Sequence, residues 1–292
     1  MNIEHYPPNN FSEDKEKTAI LPAELLRYVS IDRLHENAQN YPEMTMELTE
    51  IQKERLQKIN KVLMQIPLIH ATSDEQIANG LSDISPSDDL PFDHYGHSLE
   101  SDKSLGLTKY VFLNWGMAQK GYGRFIAQFS PELLDRDNVI ATPMDIGHVE
   151  FADDQPFEEF DPKRKRRVDD NYFKYMVTGK IWKEIIARRI LKTVESGQPF
   201  FPLNTSYSLG EIKHYGSISS KDFIGSFPIT DMRTHYRFLY EHGFSFTNME
   251  ENRMLYKATG KDYGAGVNPS HEECGINYEE ASTFWKKTLG LK

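Results

Sequence analysis

Leu68 and Ile69, preceded by Pro67 and followed by His70, Ala71, Thr72 and Ser73, form the stretch that most constrains this chain. A short apolar run of this kind reads as a buried strand that delivers polar side chains at its end, where they are useful. Runs of similar length follow. Lys109 to Gly123 is an aromatic strand with a Gly-punctuated turn, Arg124 to Phe129 alternates, and Val139-Ile140 and Phe223 to Ile229 are short and apolar. Ile146 to Phe151 carries His148 and Glu150 on one strand face. In Leu209 to Ile218 the two-residue period puts Glu211, Lys213 and Tyr215 on a common face.

Helical periodicity frames these strands. Pro22 opens a helix to about Gln39, which Tyr41-Pro42 ends. A second helix runs from about Thr45 to Met64, with Leu48, Ile51, Leu56, Ile59 and Leu63 returning to one face. Asp74 to Gly80 suits a short helix, and Asp169 can cap a long one that continues through about Glu195 and stops at Gly197. Thr230 or Asp231 caps another through His242, ended by Gly243, and Asn277 caps a last helix carrying Phe284, Trp285 and Leu289. Strands and helices together predict an α+β fold. Residues 1–65 are read as a tail and a helical extension, a lid or brace, and residues 66–292 as the main domain.

Composition narrows the function. A formal charge of −10 argues against broad phosphate-driven binding of nucleic acid, which needs lysines and arginines to displace counterions. With one cysteine, Cys274, an internal disulfide is excluded and a reducing compartment is the default. No run of apolar residues is long enough to span a membrane, and the first residues lack the basic-then-apolar order of a secretory signal. The expectation is a soluble protein, cytoplasmic or delivered into a host cell by a dedicated secretion system.

Several clusters have bland explanations. Asp93, His94, His97 and Glu100 sit in a loop rich in Ser, Asp, Pro and Gly, where such residues collect without ligating a metal. Lys163 to Arg167 is a basic run of the sort that usually faces solvent, although it would also suit an acidic partner or a diphosphate. Cys274 has His271 near it in sequence but no strand or helix start to activate a thiolate.

Three segments resemble motifs of the ADP-ribosyltransferase family, in the group whose signature is a His, a Tyr and a Glu on three separate strands. Ile69-His70-Ala71-Thr72-Ser73 is similar to the first-strand motif, Tyr110 to Tyr122 to the second, and the Glu-bearing strand within Ser208 to Ile218 to the last. The resemblance covers Pro67 to Ile229. It departs at Val111, where many members carry the signature Tyr, so Tyr110, Tyr122 or Trp115 would supply the aromatic face.

This resemblance implies a split mixed or antiparallel sheet and the transfer of ADP-ribose from NAD, the substrate, to a protein acceptor by a bacterial effector or toxin. Glu211 would be the catalytic carboxylate, with Glu150 as its competitor. His70 would bind a ribose hydroxyl, Thr72 and Ser73 would hold the nucleotide, and Tyr110, Trp115 or Tyr122 would stack on nicotinamide. A hydrolytic version needs the same residues, as does a variant that cyclises ADP-ribose onto an arginine. A host activating partner is compatible with it; a metal is not required. Two other readings stand beside it. One is a non-catalytic effector that binds a host protein through its N-terminal helices and the basic run, and the other a metal-dependent hydrolase built on Asp93, His94 and His97.

Overall fold

Short strands between residues 68 and 228 pair into one sheet. The computed structural model describes residues 30–90, 107–116, 123–143, 174–197, 209–244 and 278–291. Its strands are β1 (Leu68–Thr72), β2 (Tyr110–Trp115), β3 (Phe125–Phe129), β4 (Val139–Thr142), β5 (Val177–Thr178), β6 (Glu211–Tyr215) and β7 (Phe223–Pro228). They lie in the order β5-β4-β6-β2-β1-β3-β7. Every pairing is antiparallel, so the mixed alternative left open by the sequence does not arise among the described strands.

The ladders are unequal. β1 pairs with β3 along its whole length, from Leu68–Phe129 to Thr72–Phe125, and β2 pairs with β6 from Tyr110–Tyr215 to Asn114–Glu211. Between β1 and β2 only Leu68–Trp115 and Ile69–Asn114 are in register. The two central strands therefore separate at His70, and this seam becomes the geometric centre of the site.

Among the described residues, six α-helices accompany the sheet: α1 (Ile31–Glu36), α2 (Glu50–Leu63), α3 (Glu75–Ala78), α4 (Gly179–Glu195), α5 (Met232–Glu241) and α6 (Tyr278–Leu289). The second helix starts later than its apolar spacing suggests, because Pro42–Thr45 forms a 3-10 turn and Thr49 closes a capping box with Gln52. Leu56, Ile59, Val62 and Leu63 are buried, whereas Ile51, expected in the same stripe, is 62% exposed. The buried residues of α2 belong to the same core as Leu68, Trp115 and Ile212 of the sheet and Trp182, Ile185 and Ile190 of α4. Arg55 on α2 and Glu195 at the end of α4 form an ion pair at 2.5 Å, and Gln52 bonds the same carboxylate at 2.8 Å.

α4 differs most from expectation. Thr178 caps it, its Oγ1 accepting from Ile181 N at 3.3 Å, and Val177-Thr178 pairs with Ala141 and Ile140 of β4 instead of continuing a helix. Asp169, the expected cap, lies outside the described residues. The stops at Gly197 and Gly243 have φ of 64° and 81°, the left-handed turn that closes a helix. No helix among the described residues is long and apolar enough to cross a membrane.

Candidate functional site

Glu211 owes its place to the two residues before it. Trp182 of α4 donates its Nε1–H to Leu209 O at 2.7 Å, and Gly210 lies against the same indole. The backbone of Leu209 and Gly210 also exchanges hydrogen bonds with Trp115, at 2.9 and 3.1 Å. The chain therefore enters β6 in a fixed register, with Glu211 opposite Asn114 on one side and Thr142 on the other. Ile69 is opposite Asn114 in turn, so Ile69, Asn114, Glu211 and Thr142 form one cross-strand row.

Two residues along β6, Lys213 points the same way, as the strand period requires. Its ammonium donates to Glu211 Oε1 and, at 2.9 Å, to Thr142 Oγ1, and it lies 5.5 Å from the centre of the Phe112 ring. Lys213 is 0% exposed and Glu211 8%. Truncating either side chain, so that charge and hydrogen-bonding atoms are lost together, would strand the other charge in a low-dielectric interior, at a cost of roughly 3–5 kcal/mol.

His70 stands where β1 leaves β2. Pleat alternation brings Ile69, not His70, into the Glu211 row; the His70 ring reaches the seam instead, with Nδ1 3.0 Å from Phe112 O. The carbonyl can only accept, so Nδ1 carries the proton, and Nε2 of the neutral ring is an acceptor. Burial lowers the His70 pKa below its ordinary value and so keeps the ring neutral, against the opposing pull of the Phe112 hydrogen bond. Phe112 thus touches both groups, His70 through its carbonyl and Lys213 through its ring. β2 alone lies between β1 and β6, a span of about 10 Å or two strand spacings.

Other candidate residues fare differently. Thr72 is buried and its Oγ1 accepts from Asp74 N at 3.0 Å, shaping the turn into α3, while Ser73 beside it is exposed. Trp115 corrects an expectation: it has no exposed surface, packs in the core and donates Nε1–H to Ile66 O at 3.1 Å, so its ring offers no face to a ligand. Tyr110, 1% exposed, packs edge-on against Tyr215 at 5.5 Å and is likewise an interior residue. Tyr122, Glu150, Asp93, His94, His97, Glu100, the Lys163–Arg167 run and Cys274 lie outside the described residues. Among the described residues, no three His, Cys, Asp or Glu side chains are grouped to hold a metal. What the residue pattern did not reveal is the part played by Lys213, Thr142 and Asn114; the two-residue spacing of Glu211 and Lys213 was its visible trace.

Burial gives the protein a pH dependence. His214 donates Nδ1–H to Gly216 O at 3.1 Å and lies 3.1 Å from the Asn138 amide; His235 is 2.5 Å from Gly116 O. In both, as in His70, burial is the main cause of a lowered pKa. Unfolding therefore lets three imidazoles take up protons below about pH 6.5, their ordinary pKa. Their contribution is complete above that value and is lost as pH falls from it toward the folded-state pKa values. The urea midpoint is expected to hold steady above about pH 7 and to drop on acidification to about pH 5. His214→Gln should flatten that slope, and a midpoint insensitive to pH would contradict the neutral imidazoles of the folded protein.

No protein-family model matches the chain, and no curated protein sequence does.

Proposed function

We propose that this chain cleaves the bond between nicotinamide and ribose in NAD and transfers ADP-ribose to a protein acceptor. The observation that carries the reading is the seam between β1 and β2, with a neutral histidine in the gap and, across one strand, a buried carboxylate held in place by a lysine. The strand order and the short central ladder are compatible with the split sheet of the ADP-ribosyltransferase fold.

In this reaction the bond from ribose C1′ to the pyridinium nitrogen breaks and nicotinamide leaves with the bonding pair. Positive charge develops on the sugar, and the acceptor then attacks C1′ and gives up a proton. Glu211 is the negative group that would stabilise the oxocarbenium-like sugar. The unprotonated Nε2 of His70 suits a ribose hydroxyl donor. With Trp115 and Tyr110 buried in the interior, Tyr122 remains the aromatic candidate for stacking on nicotinamide. Water in place of the acceptor would give hydrolysis with the same groups. The near-complete burial of the Glu211–Lys213 pair also suits a purely structural carboxylate in a non-catalytic binding protein, and the variants below separate the two.

Calorimetric titration with NAD, coupled to chromatography of released nicotinamide, tests the proposal. The wild type should bind NAD saturably and release nicotinamide. His70→Ala should weaken binding roughly five- to tenfold, the worth of one hydrogen bond. Failure of the wild type to bind at millimolar NAD would overturn the proposal.

A further inference from the structure

We propose that Lys213 is a positioning residue that aims and keeps ionised the Glu211 carboxylate, an inference that rests on the transferase reading. A fully buried lysine beside Phe112 and Ile140 is an expensive choice, since an apolar side chain of similar size usually serves stability as well or better. Its geometry supplies what an apolar side chain cannot. One ammonium bonds Glu211 on its own strand and Thr142 on β4, so the carboxylate is fastened to a second strand instead of rotating about its own side-chain bonds. Among the described residues, the charged group facing Glu211 is Lys213; Asn114 and Thr142 are its neutral row neighbours, and His70 is the titratable group across β2.

The test measures nicotinamide release from NAD against pH for wild type, Lys213→Gln, Lys213→Arg and the double variant Lys213→Gln with Glu211→Gln. In Lys213→Gln, kcat should fall about 100-fold, as for a displaced catalytic group, with little change in KM. The acid limb of the kcat profile should rise by about 1–3 pH units, because the cation that favours the ionised carboxylate has gone. Lys213→Arg keeps a cation, so its acid limb should stay near the wild-type position even if kcat falls. In the double variant, the lysine change should add no further loss to that of Glu211→Gln. If Lys213→Gln does not fold, Thr142→Val, which removes one acceptor of the ammonium and keeps both charges, should lower kcat several-fold with the acid limb unmoved.

Wild-type kcat and acid limb in a folded Lys213→Gln would overturn this inference and leave the transferase reading intact. A fall in kcat with no movement of the limb in that variant would mark Lys213 as structural and overturn it too. A wild-type protein that releases no nicotinamide sinks both.

Discussion

Replacing Glu211 by Gln should cut nicotinamide release at least about 100-fold while NAD still binds, because the amide keeps the shape and one acceptor but loses the charge that meets the developing cation. Its effect on folding should be smaller, about 1–3 kcal/mol. Lys213 would lose its charged partner, yet the Gln carbonyl and Thr142 Oγ1 would still accept from the ammonium. Chromatography of nicotinamide and urea unfolding on the same preparation read the two effects separately. Undiminished release would move the catalytic role elsewhere, with Glu150→Gln as the next variant to make.

The second large effect is expected from Gly210→Val, which acts on the fold just before the carboxylate. Gly210 has φ of 141°, a region that side-chain-bearing residues avoid, and a Cβ there would lie 2.4 Å from Trp182 Nε1, 2.8 Å from its Cε2 and 3.0 Å from Thr142 O. Trp182 cannot yield easily, since it is buried and bonded to Leu209 O. Backbone strain and overpacking together should cost about 3–5 kcal/mol, much of a domain's usual 5–15. A denaturant midpoint within error of wild type would refute this account of the β6 entrance.

Much of the sheet was legible: Leu68–Thr72 and Phe125–Phe129 stand where a short apolar run and an alternating one put them, and Glu211–Tyr215 lies within the stretch read from its two-residue period. Tyr110 and Trp115 prove to be interior residues for a physical reason. Alternation tells which side chains share a face, but not which face is covered, and Trp115 lies on one packed into the core with Leu68 and Ile212. Burial of Lys213 was invisible for a similar reason, because its partner Thr142 comes from a strand about 70 residues earlier and only the β4–β6 register brings them together. The start of α4 was missed because a β-branched pair, Val177-Thr178, pairs with β4, and Thr178 caps the helix that begins after it.

The short ladder between β1 and β2 has a mechanical consequence. The sheet behaves as two stiff plates, β4-β6-β2 and β1-β3-β7, each held internally by longer ladders and joined, among the described strands, along one line of two residue pairs, with β5 appended to the first plate by a ladder as short. Rotating one plate against the other strains those few bonds and the His70–Phe112 contact, while any slip within a plate would turn its core side chains to the wrong face. Compliance between the plates is thus concentrated on the line that His70 occupies, and a molecule seated there would act as a splint across the joint between them.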